Sequence, residues 1–364
     1  MNITETAILI CKIWSFIGLP YFKFENGKFE YKKSKSSIIL IFIVIAKIVF
    51  FIKSIELSND LFFYLTILQT GSLYLLVIGL GIYSYLKKRR IAIILNDLIM
   101  LTKMLCHFSR NNDLLRSNVS KPVIWYLIAQ VTITVSKILG VVLTISPVAE
   151  VYLNLFFYNF AELFSYNINL LIFFYLIIFQ NAYTSYFNAI TSKNTHNDPK
   201  TVVEIFYKFY EISNNINKTL QVPILLRIFT DFVFAIASMF YLAVLLYIMP
   251  ELPFFVVAEM VLWLVNTLFA IFIMAYFFDQ MTEKRNKMME IIDNLPSSHT
   301  LISKFLSSYK KKELLRLRLK HERFCFNVCG FFPLNNTFIY LMIAGIATYT
   351  TYLLQFGKIF LQKF

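Results

Sequence analysis

Charged side chains interrupt several long apolar stretches of this chain, and their chemistry is the first thing to explain. A charge near the centre of a bilayer costs about 2.5–3.5 kcal/mol even on insertion scales, so such residues face protein, water or a partner. Arg227 and Asp231 lie four residues apart, on one face of a helix, and we expect a structural ion pair. Lys137 and Glu162 lie in neighbouring stretches at similar depth, where a structural pair and a functional site both stay open. The two other interrupting charges are Lys47 and Glu259.

The residue types that catalysis or metal binding requires are present but are not arranged for either. The four histidines lie outside the apolar stretches with no second ligand at metal-binding spacing: His107, His196, His299 and His321. Cys325 and Cys329 are four residues apart and would share a helix face, where we expect buried small side chains rather than a metal site. No Gly-x-Ser-x-Gly sequence and no phosphate-binding P-loop occur. We therefore expect no enzyme activity and no cofactor.

The composition indicates a protein that crosses a membrane several times. Of the 364 residues, 58% are hydrophobic, 18% aromatic and only 15% charged, whereas a soluble domain has about 25% charged residues. The formal net charge is +14, which in a soluble protein would suggest nucleic acid. In a membrane protein the same excess indicates a basic cytoplasmic face against anionic lipid, so we expect membrane lipid and no nucleic acid as a partner.

Seven apolar stretches are long enough to cross the hydrocarbon core as helices, because about 20 residues at a rise of about 1.5 Å span about 30 Å. They are 38–57, 61–86, 123–145, 151–180, 224–249, 254–278 and 337–356. An earlier stretch, 7–21, is too short and carries Lys12, so we expect an interfacial helix there. Segments 201–221 and 301–328 repeat apolar residues with the period of a helix. The predicted fold is an all-α integral membrane protein with seven transmembrane helices.

The basic residues predict which side of the membrane each connection faces. Segments 1–37, 87–122, 181–223 and 279–336 carry six, eight, four and eleven Lys or Arg, 29 of the 35 in the chain. Basic residues stay in the cytoplasm, so the N-terminus is predicted inside. The predicted units are a cytoplasmic N-terminal segment 1–37, spans one to four in 38–180, a cytoplasmic helical segment 181–223, spans five and six in 224–278, a cytoplasmic helical anchor segment 279–336, and the last span with a short outer tail in 337–364.

The last apolar stretch, 337–356, has a polar face. Drawn as a helix, it places Leu353 and Leu354 on the side away from its polar residues. The polar side chains share one side: Thr348, Thr351, Tyr352 and Gln355. Polar groups in a membrane helix face protein or water, because hydrocarbon offers them no hydrogen bonds. Two interpretations stay open: this face lines an aqueous path, or its side chains hydrogen-bond to neighbouring helices.

The end of the chain resembles the signature of insect gustatory receptors, in which Thr-Tyr and Gln-Phe flank five mostly hydrophobic residues. Here the two pairs are Thr348-Tyr349 and Gln355-Phe356, and Cys329-Gly330-Phe331-Phe332 is similar to the family's lead-in to its last helix. The predicted polarity agrees with that family and not with G-protein-coupled receptors, whose basic loops follow spans one, three and five. Thr350 and Thr351 occupy positions that are usually hydrophobic in the family.

The resemblance implies a multi-pass receptor in the plasma membrane, a ligand-gated non-selective cation channel that a small-molecule tastant opens. It implies four subunits, identical or mixed with related receptors, around one pore lined by the last helix of each. The implied pore residues are Thr348, Thr351, Tyr352, Gln355 and Phe356, where the Gln355 amide meets permeating cations and Phe356 forms the constriction. The sugar-receptor branch tends to carry an acid at the position of Thr350, so a bitter compound is slightly favoured over a sugar.

The outer halves of the spans collect aromatic and polar side chains of the kind that line small-ligand pockets. The candidate pocket residues are Gln69, Lys137, Tyr158, Asn159, Glu162, Tyr241, Trp263 and Asn266. Tyrosine and tryptophan are also enriched at membrane interfaces, which accounts for some of the aromatic residues but not for Asn159, Glu162 and Asn266. The alternative function is a seven-span transporter or a non-channel membrane protein of the same fold, although the two similar halves typical of transporters are not found.

Overall fold

The computed structural model describes residues 3–16, 19–32, 61–109, 169–188 apart from 171, 199–248, 254–293 and 326–361, together with 121, 124–126, 128–132 and 135. The predicted first span, 38–57, lies outside these residues. So do four candidate pocket residues: Lys137, Tyr158, Asn159 and Glu162. The backbone of Trp263 is described, and its side chain lies outside the described part.

Three helices are much longer than a membrane is thick. They are α2 (Leu61–Ser109), α5 (Pro199–Ile248) and α6 (Phe254–Asp293), with 49, 50 and 40 residues. At a rise of about 1.5 Å per residue they extend about 60–75 Å, twice the hydrocarbon core of about 30 Å. Each therefore carries a membrane span and an extension beyond the membrane in one continuous helix.

The other helices are α1 (Ile3–Phe16), α3, described at 124–126 and 128–132, α4, described at 169–170 and 172–188, and the last helix α7 (Asn336–Leu361). The described part of α3 lies in the predicted third span, and α4 continues past the predicted end of the fourth span at 180. Four of the described helices are long and apolar enough to cross a membrane: Ile67–His107, Glu204–Val244, Met260–Lys287 and Asn336–Phe356. These stretches lie in α2, α5, α6 and α7 and overlap the predicted second, fifth, sixth and seventh spans.

The long helices continue past the points where the composition changes. Lys87 to Arg90 end the apolar stretch of α2 but not the helix, because Lys and Arg are good helix formers. Beyond them Ile91, Ile94 and Leu98 keep the helical period and are buried. Helix α5 also continues through Pro223, although proline usually bends or ends a helix.

An aromatic core joins α4, α5 and α6. Phe209 of α5 stacks on Tyr183 of α4, with ring centroids 4.3 Å apart, and makes a T-shaped contact with Phe179 at 5.4 Å. Arg285 of α6 is buried, with its guanidinium carbon 5.0 Å from the ring centroid of Tyr210, a cation–π distance. The helical period predicted for 201–221 is confirmed, since its apolar face is the buried one: Ile205, Phe206, Phe209, Ile212 and Ile216.

The N-terminal residues form a helix and a β-hairpin, and not the interfacial helix that the sequence suggests. The apolar face of α1, which includes Ala7, Ile10 and Trp14, is buried in protein and so is not available to lipid. Strands β1 (Tyr21–Glu25) and β2 (Lys28–Lys32) then pair antiparallel.

Two local features form and hold this hairpin. Asn26 and Gly27 have φ angles of 51° and 78°, as the two central residues of a type I′ turn require. Asn96 of α2 fixes β2 in place: its side-chain oxygen accepts the Phe29 N–H at 2.7 Å, and its amide nitrogen donates to the Phe29 carbonyl at 3.1 Å.

A second short hairpin precedes the last helix. Strands β3 (Asn327–Val328) and β4 (Phe332–Pro333) pair across Cys329 and Gly330, whose φ angles are 51° and 79°. Cys329 therefore lies in a turn, so the expectation that it shares a helix face with Cys325 is wrong, and the helix predicted over 301–328 cannot extend into β3. The rest of that segment, 301–325, lies outside the described residues.

The start of α7 is fixed by side chains on both sides of its first turn. The Asn335 side-chain oxygen accepts the Phe338 N–H at 3.0 Å and caps the helix. The ring of Phe332 stacks on Phe338, with centroids 4.5 Å apart. Asn336 donates to the Asp279 carboxylate at 2.6 Å and ties this end of α7 to α6.

Arg227 and Asp231 form the predicted ion pair within α5. The Arg227 Nε and one terminal nitrogen lie 2.7 and 2.6 Å from the two carboxylate oxygens, and the residues are 5% and 2% exposed. The Thr230 hydroxyl, between them in sequence, lies 2.9 Å from the Leu226 carbonyl of its own helix and 3.3 Å from the Ser72 carbonyl of α2. A polar contact therefore lies between α2 and α5 beside the ion pair.

Burial of Cys11 in α1 predicts its reactivity. Burial raises the pKa of its thiol to about 12, so very little reactive thiolate forms at pH 8. Cys329 is only half-buried. We expect an alkylating reagent to modify Cys329 in the folded protein and to leave Cys11 unmodified until unfolding, as site-resolved mass spectrometry would show. Equal modification rates at the two thiols in the folded protein would contradict the packing of α1.

Removing one partner of the Arg227–Asp231 pair is expected to destabilise the protein far more than removing both. Arg227→Met or Asp231→Leu alone leaves a buried unpaired charge, at a cost of about 3–5 kcal/mol, which lowers the thermal unfolding midpoint of the purified protein. The double variant should recover most of that loss. Lys287→Met is the control, because it breaks an exposed pair with Glu283 at 2.6 Å, where about 0–1 kcal/mol is expected. A double variant as unstable as either single variant would show that the pair itself is required.

Candidate functional site

The last helix, α7, packs on its own protomer through one side. Phe338, Met342, Ile346 and Thr350 recur every four residues along that side and are buried. The main contacts of α7 with other long helices in the described part of the chain are with α5 and α6. The buried side therefore fixes which residues of α7 remain at the protomer surface.

Gly345 and Tyr349 fit α7 against Phe232 of α5. A Cβ on Gly345 would lie 3.2 Å from the Phe232 ring, closer than ordinary van der Waals contact, so glycine allows the two helices to approach. One turn later Tyr349 meets the same ring in a T-shaped contact, with centroids 5.9 Å apart. The tyrosine of the Thr-Tyr pair is therefore a packing contact between α7 and α5.

The opposite side of α7 is exposed and carries the five candidate pore residues. They are Thr348, Thr351, Tyr352, Gln355 and Phe356, of which Tyr352 is 55% and Phe356 57% exposed. Thr348 and Thr351 donate their hydroxyls to the carbonyls of Ala344 and Ala347, each at 2.8 Å. The hydroxyl oxygens retain acceptor lone pairs, so this side offers water or a hydrated cation a row of weak ligands.

Tyr241 is the candidate pocket residue that lies beside α7. It packs on a small cluster of Leu65, Phe240 and Val244, and Leu353 and Leu354 of α7 pack on the same cluster. The two leucines thus point away from the polar side of the helix, and they connect the candidate pocket to α7.

Asn266 is joined to a residue that sequence reasoning missed. Its side-chain oxygen accepts a hydrogen bond from Gln130 of α3 at 3.4 Å, which links α3 to α6. Gln130 is buried. It is the only amide side chain in the apolar stretch 123–145, and a lone amide in such a stretch is a sequence signal for a polar contact. Gln69 is likewise buried, on α2.

Polar side chains also meet between α3, α4 and α5. Asn169 of α4 is completely buried, and the Tyr126 hydroxyl of α3 is shielded from solvent beside it. The Tyr126 ring packs on Phe173 of α4 with centroids 4.9 Å apart. The charges of Arg227 and Asp231 act on the same hydroxyl. Sequence reasoning found the ion pair and missed the asparagine and the tyrosine.

An apolar groove of about 320 Å³ runs between α6 and α7. Its lining is aliphatic and aromatic: Val265, Leu268, Phe269, Ile271, Phe272, Ile339, Met342 and Ile343. Such a groove suits hydrocarbon and not a charged ligand. Within the ranges that the structure describes, no three His, Cys, Asp or Glu residues are grouped so that they could hold a metal ion.

The comparisons with known proteins agree with this architecture. The family model described as 7tm Chemosensory receptor matches residues 8–360. Among solved structures, the insect olfactory receptor OR5 from Machilis hrabei has 16% sequence identity and a TM-score of 0.71, and its complex with eugenol has 14% and 0.69. Each comparison covers 97% of this chain and 98% of the other. No curated protein sequence matches the chain.

The structural likeness shows the fold, and the family match covers nearly the whole chain. Together they confirm the helical multi-pass membrane fold and the resemblance to insect chemoreceptors that the last residues suggest. The family comprises receptors and not enzymes, in agreement with the absence of a catalytic motif in the sequence. The chain belongs to the 7tm chemosensory receptor family.

Proposed function

We propose that this protein is a gustatory receptor of the plasma membrane, a ligand-gated non-selective cation channel opened by a small-molecule tastant. The observation that carries the proposal is the exposed polar side of α7, which includes Thr348, Thr351 and Gln355. In a helix that crosses a membrane, the Gln355 amide facing lipid is unfavourable, whereas the hydroxyls of Thr348 and Thr351 already donate to carbonyls of their own helix. Water on an axis shared by several copies gives these groups a favourable environment.

The proposed pore has four subunits, identical or mixed with related receptors, each contributing its α7. Gln355 presents its amide to permeating cations, and Phe356 forms the hydrophobic constriction that opens. Thr348, Thr351 and Tyr352 line the path below them. The family resemblance of the Gln355-Phe356 pair supports these roles, and the exposure of both side chains is consistent with them.

The proposed ligand site lies among α2 to α6, with Gln69, Tyr241 and Asn266 as described candidates. The olfactory receptor of the same fold has been solved in complex with eugenol, a small molecule, which supports a small-molecule ligand here. A ligand that binds the open state more tightly than the closed state shifts the channel toward opening. Tyr241 and Leu354 pack on one cluster, so a movement at the ligand site reaches α7 through few contacts.

We propose a bitter compound rather than a sugar as the ligand. Thr350 stands where sugar receptors tend to carry an acid, and it is buried at 6% exposure, against the protomer. The residue at this position therefore disfavours the sugar-receptor branch of the family.

The proposed activity is tested by whole-cell current in cells that express this chain alone, under a panel of alkaloids, sugars and amino acids. We expect a cation current that depends on one of the alkaloids. Gln355→Ala in the same cells should change ion permeation or gating, because it removes the amide from the path. A conducting channel in which Gln355→Ala changes neither would contradict the pore assignment.

The Gln130–Asn266 contact predicts an effect on ligand response. Gln130→Leu removes the hydrogen bond from Gln130 to Asn266, and we expect the half-maximal ligand concentration to rise about tenfold, as about 1.4 kcal/mol of lost binding would give. Thr132→Val on the same helix is the control, since its hydroxyl is exposed and, among the described residues, donates to its own helix at the Ile128 carbonyl, 2.9 Å away. Equal dose–response curves for Gln130→Leu and wild type would exclude Gln130 from the ligand site.

A further inference from the structure

Asn169 is a buried polar side chain that has no hydrogen bond of good geometry among the described residues. It is 0% exposed, and neither its amide nitrogen nor its amide oxygen has a hydrogen-bond partner among the described residues. The Tyr126 hydroxyl, which faces it from α3, is also shielded and without a partner of good geometry there. Buried polar groups in native proteins are almost always hydrogen-bonded, to protein or to ordered water.

The two side chains cannot satisfy each other. A direct bond between the Tyr126 hydroxyl and Asn169 would use one group of the amide and leave the other buried without a partner. The amide needs both a donor and an acceptor, and the hydroxyl can act as either. A single water molecule makes two to four hydrogen bonds, so it can bridge the two side chains and supply what a direct contact cannot.

The surroundings select a small and neutral occupant. The Arg227–Asp231 pair, which acts on the Tyr126 hydroxyl, already balances its own charge through two short contacts at 2.6 and 2.7 Å. A free ion would have to lose its hydration without finding an unmatched opposite charge. Phe173 packs against the Tyr126 ring and restricts the space on that side.

We propose that Asn169 and Tyr126 form a binding site for an ordered water molecule between α3, α4 and α5, beside the Arg227–Asp231 pair. The water accepts a hydrogen bond from the Asn169 amide nitrogen and donates one to the Asn169 oxygen. Its remaining hydrogen-bonding group contacts the Tyr126 hydroxyl. The site uses none of the residues assigned to the pore or to the ligand pocket, and it does not depend on the proposed channel function.

The sign of a stability change tests this site. Replacing a polar group that has no partner by an apolar group of similar shape stabilises a protein, whereas replacing a hydrogen-bonded one destabilises it. We therefore expect Asn169→Leu to lower the thermal unfolding midpoint of the full chain in nanodiscs by roughly 2–4 °C. Asn188→Leu, at an exposed position of the same helix, is the matched control and should change it little. An Asn169→Leu variant that unfolds at a higher temperature than wild type would overturn the proposal.

A double variant tests whether the two residues share one water. Tyr126→Phe removes only the hydroxyl, and if both residues bind the same molecule the losses of Asn169→Leu and Tyr126→Phe should not add. Fully additive losses would show separate partners and overturn the shared site. If a variant fails to fold, an experimental density map of the wild-type protein tests the site instead. An ordered water peak within hydrogen-bond distance of both side chains supports the site. No such peak, at a resolution where other buried waters are visible, refutes it.

Discussion

Hydrocarbon offers no hydrogen bonds, and this constraint governs every polar side chain at membrane depth in this protein. Arg227 and Asp231 meet it by pairing within one helix, and Gln130 and Asn266 meet it across two helices. Thr348 and Thr351 meet it by bonding carbonyls of their own helix. The Gln355 amide differs from these groups because it is exposed on the surface of the protomer. Water in an aqueous path would supply its hydrogen bonds.

The long helices give the membrane part and the extensions beyond it a common framework. Because α5 runs without interruption from Pro199 to Ile248 and packs on α2, α6 and α7, it is the element through which the other helices are joined. Phe209 of α5 packs on the aromatic residues of α4. Farther along the same helix, Phe232 packs on Gly345 and Tyr349 of α7. A rearrangement that moves α7 must therefore either move α5 or break the contact at Phe232.

The sequence predicted the features that depend on local pattern. The second, fifth, sixth and seventh spans, the apolar face of 201–221 and the Arg227–Asp231 pair follow from local spacing, and the described part of the structure has them. The Asn26-Gly27 pair between two short aromatic stretches is a hairpin signal, although the helical patterns in the rest of the chain obscure it. The pairing of Gln130 with Asn266, 136 residues apart, and the burial of Asn169 depend on how distant helices pack, which a single sequence does not specify. The exposed side of α7 matches the polar face drawn from sequence, while its role as a pore remains a proposal.

Modification of single cysteines on α7 tests that role most directly. Ligand-evoked current would be measured before and after a positively charged thiol reagent, in Gln355→Cys, in Ile343→Cys and in the wild type. Ile343 is 52% exposed but lines the apolar groove on another side of the helix, so it controls for surface accessibility alone. The account predicts block of the current in Gln355→Cys and none in the other two. Current that is unchanged in Gln355→Cys after complete modification would contradict it.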